Sequence, residues 1–524
     1  MQKKNRVLWC LVALALFLGM GIAGKAQAID FKARGIWSMG YGIGDPSLTQ
    51  DVTTKGDKKK VNNDDKFVAR QRVLLFLDAV ASENLMGSLQ LKLGPQDWGK
   101  ARQGSALGAD GTNIKLTQAY LQWAVPQTDL KMKMGLQYFS MPNAAGGSAV
   151  FDTQAAAVVA NYAFNSNVGL TALWMRPFND NYSGGNYNGI LSSEGANYLD
   201  NMDLFALTLP LTFDGIKITP WIMPGMMGRN TNKFDGFWQN GLGDGYPAVT
   251  MYPYLNKIGG GHGLNVQQLG NTSKTYGKVF WAGIPFKITA MDPWNFELDL
   301  NYGFVEEMGR FDVIKRNDAS DVVRGSSQRQ GWLAKALVEY KLDWGVPGIF
   351  GWYASGDDGN VKNGSERMPS ICAYGNFTSF FGDGNMAWSP ALNFMDKSLS
   401  YAGTWGLGAQ VKDISFVEDL KHVVRVAYWG GTNSPSMVKY MDHANAWDST
   451  SNLSDGPYLT TNDGMLEVNL ISSYKIYENL EMNVELGYVA NFMDSSTWKK
   501  GYNDFGSYTK QDAWKAQVVF QYQF

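Results

Sequence analysis

The stretch Ala513-Trp514-Lys515-Ala516-Gln517-Val518-Val519-Phe520-Gln521-Tyr522-Gln523-Phe524 decides the fold. Trp514, Ala516, Val518, Phe520, Tyr522 and Phe524 take every second position, and Lys515, Gln517, Gln521 and Gln523 lie between them, interrupted only by Val519. Successive side chains of an extended chain point to opposite faces, so this is a strand with one aromatic, apolar face and one polar face. One such strand would also suit the edge of a soluble sandwich. Recurrence of the same pattern along the chain decides against that.

Near the other end, Phe31, Ala33, Gly35, Trp37 and Met39 alternate with Lys32, Arg34, Ile36 and Ser38. Val73, Leu75 and Leu77 alternate with Arg72, Leu74, Phe76 and Asp78, and Leu89, Leu91 and Leu93 with Ser88, Gln90 and Lys92. Leu130, Met132, Met134, Leu136 and Tyr138 stand opposite Lys131, Lys133, Gly135 and Gln137. Short turns fall near Ser82, Gln127, Ser166, Asp214-Gly215, Asp292-Pro293, Trp344-Gly345 and Glu478-Asn479, with a weaker one at Phe416 to Asp419. Between them lie long segments rich in Gly, Asn, Ser and Asp: Asp45 to Lys66, Phe178 to Asp200, Gly228 to Thr275, Asp357 to Ser400 and Gly431 to Asn462.

Short turns on one side and long polar loops on the other are the signature of a transmembrane barrel. Eight short turns plus the first and last strands predict 18 antiparallel strands; without the weak turn the count is 16. Either number is even and leaves an aqueous lumen. In one strand Val279 and Trp281 fall out of phase with Ile284, Phe286 and Ile288, which predicts a bulge near Gly283-Ile284-Pro285. The fold class is therefore all-β, a single closed antiparallel barrel over residues 29–524.

Composition agrees. The chain of 524 residues carries 59 glycines, 18 tryptophans and 25 tyrosines, with a slightly negative mean hydropathy. After Ile29 no apolar run is long enough to span a bilayer as a helix. Trp37, Trp123, Tyr138, Trp174, Trp332, Tyr340, Trp405, Tyr428, Tyr488 and Trp514 sit near strand ends, as interfacial aromatic girdles do. Lys3, Lys4 and Arg6, the apolar run Val7 to Ala23 and the small-x-small site Ala26-Gln27-Ala28 predict a cleaved secretory signal over residues 1–28. Cys372 is then the lone cysteine, so no internal disulfide is expected. With 46 basic and 48 acidic residues, nothing favours a nucleic-acid partner. Alternation begins within a few residues of Ile29, which leaves no length for an N-terminal plug domain.

The face opposite the apolar one should line the lumen. On the first five strands it offers Lys32, Arg34, Arg70, Arg72, Lys92, Lys131 and Lys133, with Asp78 as the one acid placed among them. Glu297 and Asp299 take inward positions on strand 11, and Glu467, Glu481 and Glu485 on strands 16 and 17. A basic wall facing acids sets up a transverse field that orients polar solutes. The alternative is a set of solvated residues that only keep the interior wet. The basic excess favours anions modestly.

No chemistry beyond a lumen emerges. His262, His422 and His443 lack metal-ligand partners at helical or strand spacing, and no phosphate loop is present, so neither metal nor cofactor is expected. Asp442-His443 and Asp357-Asp358 have the residue types, but not the spacing, of the catalytic pairs in omptin-type proteases. Gly356-Asp357-Asp358-Gly359-Asn360 lacks calcium-loop spacing and reads as a solvated turn.

Several blocks resemble the outer membrane homotrimeric porins of sulfate-reducing bacteria. They are Ala28-Ile29-Asp30-Phe31-Lys32-Ala33, Arg70-Gln71-Arg72 with Ser82-Glu83-Asn84-Leu85, Met141-Pro142-Asn143-Ala144, and Gly431-Thr432-Asn433. The ending Phe520, Tyr522, Phe524 likewise resembles the signal that outer-membrane barrels present to their assembly machinery. The resemblance implies a trimer of barrels in outer-membrane lipid, each passing small hydrophilic solutes. A third loop narrows the channel in many such trimers. Here Met141 to Thr153 is short and rich in small residues, so Gly228 to Thr275 and Asp357 to Ser400 are alternative constrictions.

Overall fold

In a computed structural model of the protein, the described residues are 29–45, 48–55, 58–61, 66–101, 106–108, 114–179, 201–228, 274–315, 318–378, 401–440, 458–501 and 508–524. The signal segment and most of Gly228 to Thr275 lie outside them, as do His262, Asp442 and His443.

The barrel strands are β1 (Asp30–Asp45), β2 (Lys66–Ser82), β3 (Leu85–Asp97), β4 (Ile114–Ala124), β5 (Leu130–Ser140) and β6 (Asp152–Ala163). Next come β7 (Gly169–Asn179), β8 (Asn201–Thr208 continued by Leu211–Phe213) and β9 (Ile216–Ile218 continued by Trp221–Gly228). Then follow β10 (Tyr276–Ile288), β11 (Trp294–Val305), β12 (Arg329–Tyr340), β13 (Val346–Ala354) and β14 (Thr404–Val417). The last are β15 (Leu420–Gly431), β16 (Gly464–Tyr477), β17 (Leu480–Asn491) and β18 (Ala513–Gln523). β8 and β9 are interrupted just at Pro210 and Pro220, which cannot donate to a ladder.

Each strand pairs antiparallel with its neighbour in sequence, and β1 pairs with both β2 and β18, so the sheet of 18 strands has no edge. All eight expected turns are present, including the weak one, where Val417 pairs with Leu420 across Glu418-Asp419. Nine longer connections leave the strands at the opposite end; we number them L1 to L9. For 18 strands at the usual spacing and tilt, the backbone cylinder is about 35 Å across.

The apolar face is outside. Phe31, Trp37, Leu121, Phe205, Leu298 and Leu407 are among the large apolar side chains left exposed on it. On β18, Tyr522 and Phe524 are exposed and stacked, and Phe524 meets Trp37 of β1 edge-on. A groove of about 540 Å³ among Phe31, Leu77, Leu89 and Met134 opens on this outer face, where acyl chains would run, and not on the lumen.

Two expectations need correction. The register of β10 against β9 and β11 is continuous, so there is no bulge at Gly283-Ile284-Pro285. Val279 and Trp281 share a parity with Gly283 and Pro285 and are buried inside, while Phe280, Ile284 and Phe286 face out. The inward faces are also not polar throughout: Trp221, Met223, Val279, Trp281, Leu333 and Phe350 form a dry core within the lumen.

Candidate functional site

That core exists because two of the long connections turn inward. L3 (141–151) and part of L7 (355–403) meet inside the barrel and pair with one another. Ile371 and Cys372 amides both donate to Val150 O, Asp152 N donates to Cys372 O, Tyr374 N to Ser148 O and Asn376 N to Gly146 O. Phe151 and Cys372 form a parallel bridge. We call the joined segments the plug.

The wall side chains of β9 to β14 hold it. Trp221 Nε1 donates to Pro142 O at 3.1 Å and Trp281 Nε1 to Pro369 O at 2.9 Å. Arg329 donates to the carbonyls of Arg367 and Met368. Phe377 stacks on Phe350 and Trp352. At mid-strand Asp299 and Lys335 face each other across β11 and β12, 3.3 Å apart and almost fully buried. The Asp299 carboxylate accepts the Ala144 and Ala145 amides, and the Lys335 ammonium donates to the Ala145 and Gly147 carbonyls.

The small residues of L3 therefore make insertion possible. Gly146 and Gly147 adopt positive φ of 65° and 81°, where a side chain is strained. A Cβ on Gly147 would lie 2.0 Å from Tyr374 O. Of the candidate constrictions, Met141 to Thr153 and the described part of Asp357 to Ser400 are thus inserted together, while most of Gly228 to Thr275 lies outside the described residues.

Each predicted lumen residue can now be placed. Lys32 pairs with Asp30 at the turn rim and Arg34 reaches Asp78 at 3.3 Å while its guanidinium lies over Phe76. Arg70 is paired with Asp97, Arg72 stands beside Ser38 on β1, and Lys92 faces Lys115 across β3 and β4. Lys133 lies over the Tyr120 ring and Lys131 is exposed. The acids sit differently. Glu485 is paired with Lys515 at 2.9 Å, both essentially inaccessible, and buried Glu467 accepts from Trp429 Nε1. Glu297 is paired with Lys287 and Glu481 accepts from Asn483 at the turn rim. Sequence reasoning missed Lys115, Lys335, Arg425 and Lys515.

The result is asymmetric. Inward side chains of β8 to β18 are largely sealed, by the plug or by one another, and their buried charges are partnered. On the inward wall of β1 to β5 Ser38, Asp78, Ser88, Gln90 and Gln137 are buried, whereas the Lys32 and Arg34 side chains are 64% and 55% exposed and Arg72, Lys92, Lys115 and Lys133 are partly so. Ion pairs neutralise part of both sets: Glu297, Asp299 and Glu485 pair with Lys287, Lys335 and Lys515, and Lys32, Arg34 and Arg70 pair with Asp30, Asp78 and Asp97.

The loop rim is knitted together. Asn433 accepts the Asp357 amide and donates to Gly403 O and Leu459 O. Asp357 is not a solvated turn residue; it is buried and binds Ser365 Oγ, Glu366 N and the Tyr458 hydroxyl. Asp463 gathers Thr460, Asp494 N and the indole of buried Trp498. Glu366 stands beside Asp357 and Asp358; its partial burial, reinforced by those like charges, pushes its carboxyl up to about 7.

No family model matches the chain, and no curated protein matches it. Solved structures do. OccK11 (OpdR) of Pseudomonas aeruginosa is 11% identical, with 96% of this chain and 99% of that one covered at a TM-score of 0.45. The outer membrane protein opdK of the same organism is 9% identical, with 94% and 99% covered at 0.46. A loop-deleted OmpT of Vibrio cholerae is 9% identical, with 95% and 100% covered at 0.38. At these identities and scores the likeness extends to neither family nor activity.

Proposed function

We propose that the chain is an outer-membrane pore for passive diffusion of small hydrophilic solutes, with a preference for anions, and not an enzyme. The observation that supports this is a closed barrel with an apolar outside, on whose inner wall the Lys32 and Arg34 side chains of β1 stay more than half exposed. The short turns then face the periplasm and the nine long connections the exterior. In water one charge a few ångströms from a solute contributes about 1 kcal/mol, screened over roughly 10 Å at physiological salt. Several basic side chains on adjacent strands, backed by a low-dielectric wall, add to a several-fold bias and not to strict exclusion.

The sequence blocks shared in style with homotrimeric porins support assembly as a trimer in outer-membrane lipid. The outward aromatic face of β18 supports delivery by the barrel-assembly machinery. Purified protein added to planar bilayers should give stepwise conductance, and chemical cross-linking should trap trimers. A silent bilayer despite a heat-modifiable barrel would instead favour a structural surface protein with a closed lumen.

A further inference from the structure

We infer that Asp299 and Lys335 are positioning residues that latch the plug into the lumen and so set the size limit of the pore. Among the described residues these two mid-barrel charges both touch the L3 backbone, and they do so with opposite polarity. The carboxylate takes two amide N–H groups, of Ala144 at 3.0 Å and Ala145 at 2.8 Å. The ammonium takes the carbonyls of Ala145, at 2.6 Å, and Gly147. The two charges neutralise one another across the strands at 3.3 Å. Each buried ion is thereby satisfied by its partner and by peptide groups, which a buried ion pair requires to be tolerated.

The latch reaches further than L3. Tyr401 bridges the two inserted segments, since its hydroxyl donates to Gly146 O at 2.6 Å and accepts from Asn376 N at 3.1 Å. With four backbone hydrogen bonds joining L3 to 371–376, and a fifth from Asp152 N at the start of β6, release of residues 144–147 frees both segments. Buried Cys372 sits in that seam and reports on it.

The size-limit arm of the test rests on the pore reading; the labelling arm does not. In a Cys10→Ser background, Cys372 labelling by a water-soluble maleimide is followed in detergent-solubilised barrels, and swelling of proteoliposomes in neutral sugars of increasing size gives the size limit. The latch predicts protection of Cys372 in the parent, and labelling together with a larger sugar limit in Asp299→Asn and in Lys335→Met. The decisive variant is the exchange Asp299→Lys with Lys335→Asp. It keeps the ion pair yet offers L3 the wrong polarity, so it should behave like the single variants. Return to parental protection and size limit in the exchange would overturn the latch, because a merely structural ion pair would be restored. So would a protected Cys372 and an unchanged limit in both single variants. If a charge variant fails to give a heat-modifiable barrel, Tyr401→Phe removes the bridging hydroxyl without stranding a charge, and it too should expose Cys372; continued protection would count against the latch. Labelling as expected with no sugar uptake in any barrel would leave the latch standing and remove the pore reading.

Discussion

Gly35 of β1 and the terminal residue Phe524 exchange both backbone hydrogen bonds, Gly35 N to Phe524 O at 2.9 Å and Phe524 N to Gly35 O at 3.1 Å. This reciprocal pair is the last rung of the seam between the first and last strands, and the Phe524 ring lies over the glycine. A Cβ on Gly35 would come within 2.6 Å of that ring. The chain end is thus tied into the ladder, with its aromatic face turned to lipid.

Seam variants should fail in assembly. Phe520→Asp and Tyr522→Asp put charge on the outer face near the turn rim, at an expected cost of order 1 kcal/mol each, since the penalty shrinks toward the interface. Deletion of Phe524 removes the final rung, and Gly35→Val displaces the ring. Fractionation followed by a gel-shift assay for the heat-modifiable barrel checks all four; normal yields throughout would contradict the outward orientation of Phe520 and Tyr522.

The glycine cradle under L7 gives a second prediction. A Cβ on Gly331 of β12 would lie 2.3 Å from Glu366 O and 2.5 Å from Met368 N, both backbone atoms. Gly331→Ala should therefore unseat residues 366–368 at about 1–3 kcal/mol, the usual cost of overpacking. Hydrogen exchange of the 366–376 amides should rise while the barrel strands stay protected. An unchanged exchange pattern would show that the cradle has slack.

Glu366 makes the L7 seat pH-dependent. Its carboxyl is raised from an ordinary 4.5 to about 7 by burial and by Asp357 and Asp358. A raised folded value means the seated loop binds the proton more tightly than the released one, so the stabilisation is full below 4.5, declines as pH rises and is gone above 7. Exchange at 366–376 should therefore quicken, after correction for intrinsic rates, between pH 4.5 and 7. Glu366→Gln should flatten that dependence, and a parental profile in this variant would exclude Glu366 as its source.

The barrel was legible in the sequence because period-two alternation is local and the turns carry Asp, Asn, Gly and Pro. Even the weak turn at Phe416 to Asp419 was readable, and Asp419 there takes a positive φ of 62°. What failed is the rule that apolar means outward. Val279 and Trp281 are apolar because L7 packs on them inside, so they mimic a phase slip where the ladder is regular. The Asp299–Lys335 pair was invisible for a different reason: Asp299 was placed on the inward face, but its partner follows from register between strands 36 residues apart. Insertion of L3 had a signal, the run Ala144-Ala145-Gly146-Gly147, which marks close backbone packing as readily as an unstructured loop.

The central claim is that the water-facing wall of the lumen is the basic one. Reversal potentials in planar bilayers under a potassium chloride gradient test it most directly, comparing the parent with Arg72→Glu and Lys133→Glu on β2 and β5. The account predicts a reversal potential of anion-selective sign in the parent that moves toward the cation side in both variants, most at low salt, where screening is weakest. A cation-selective parent, or a potential that both substitutions leave unmoved, would contradict it.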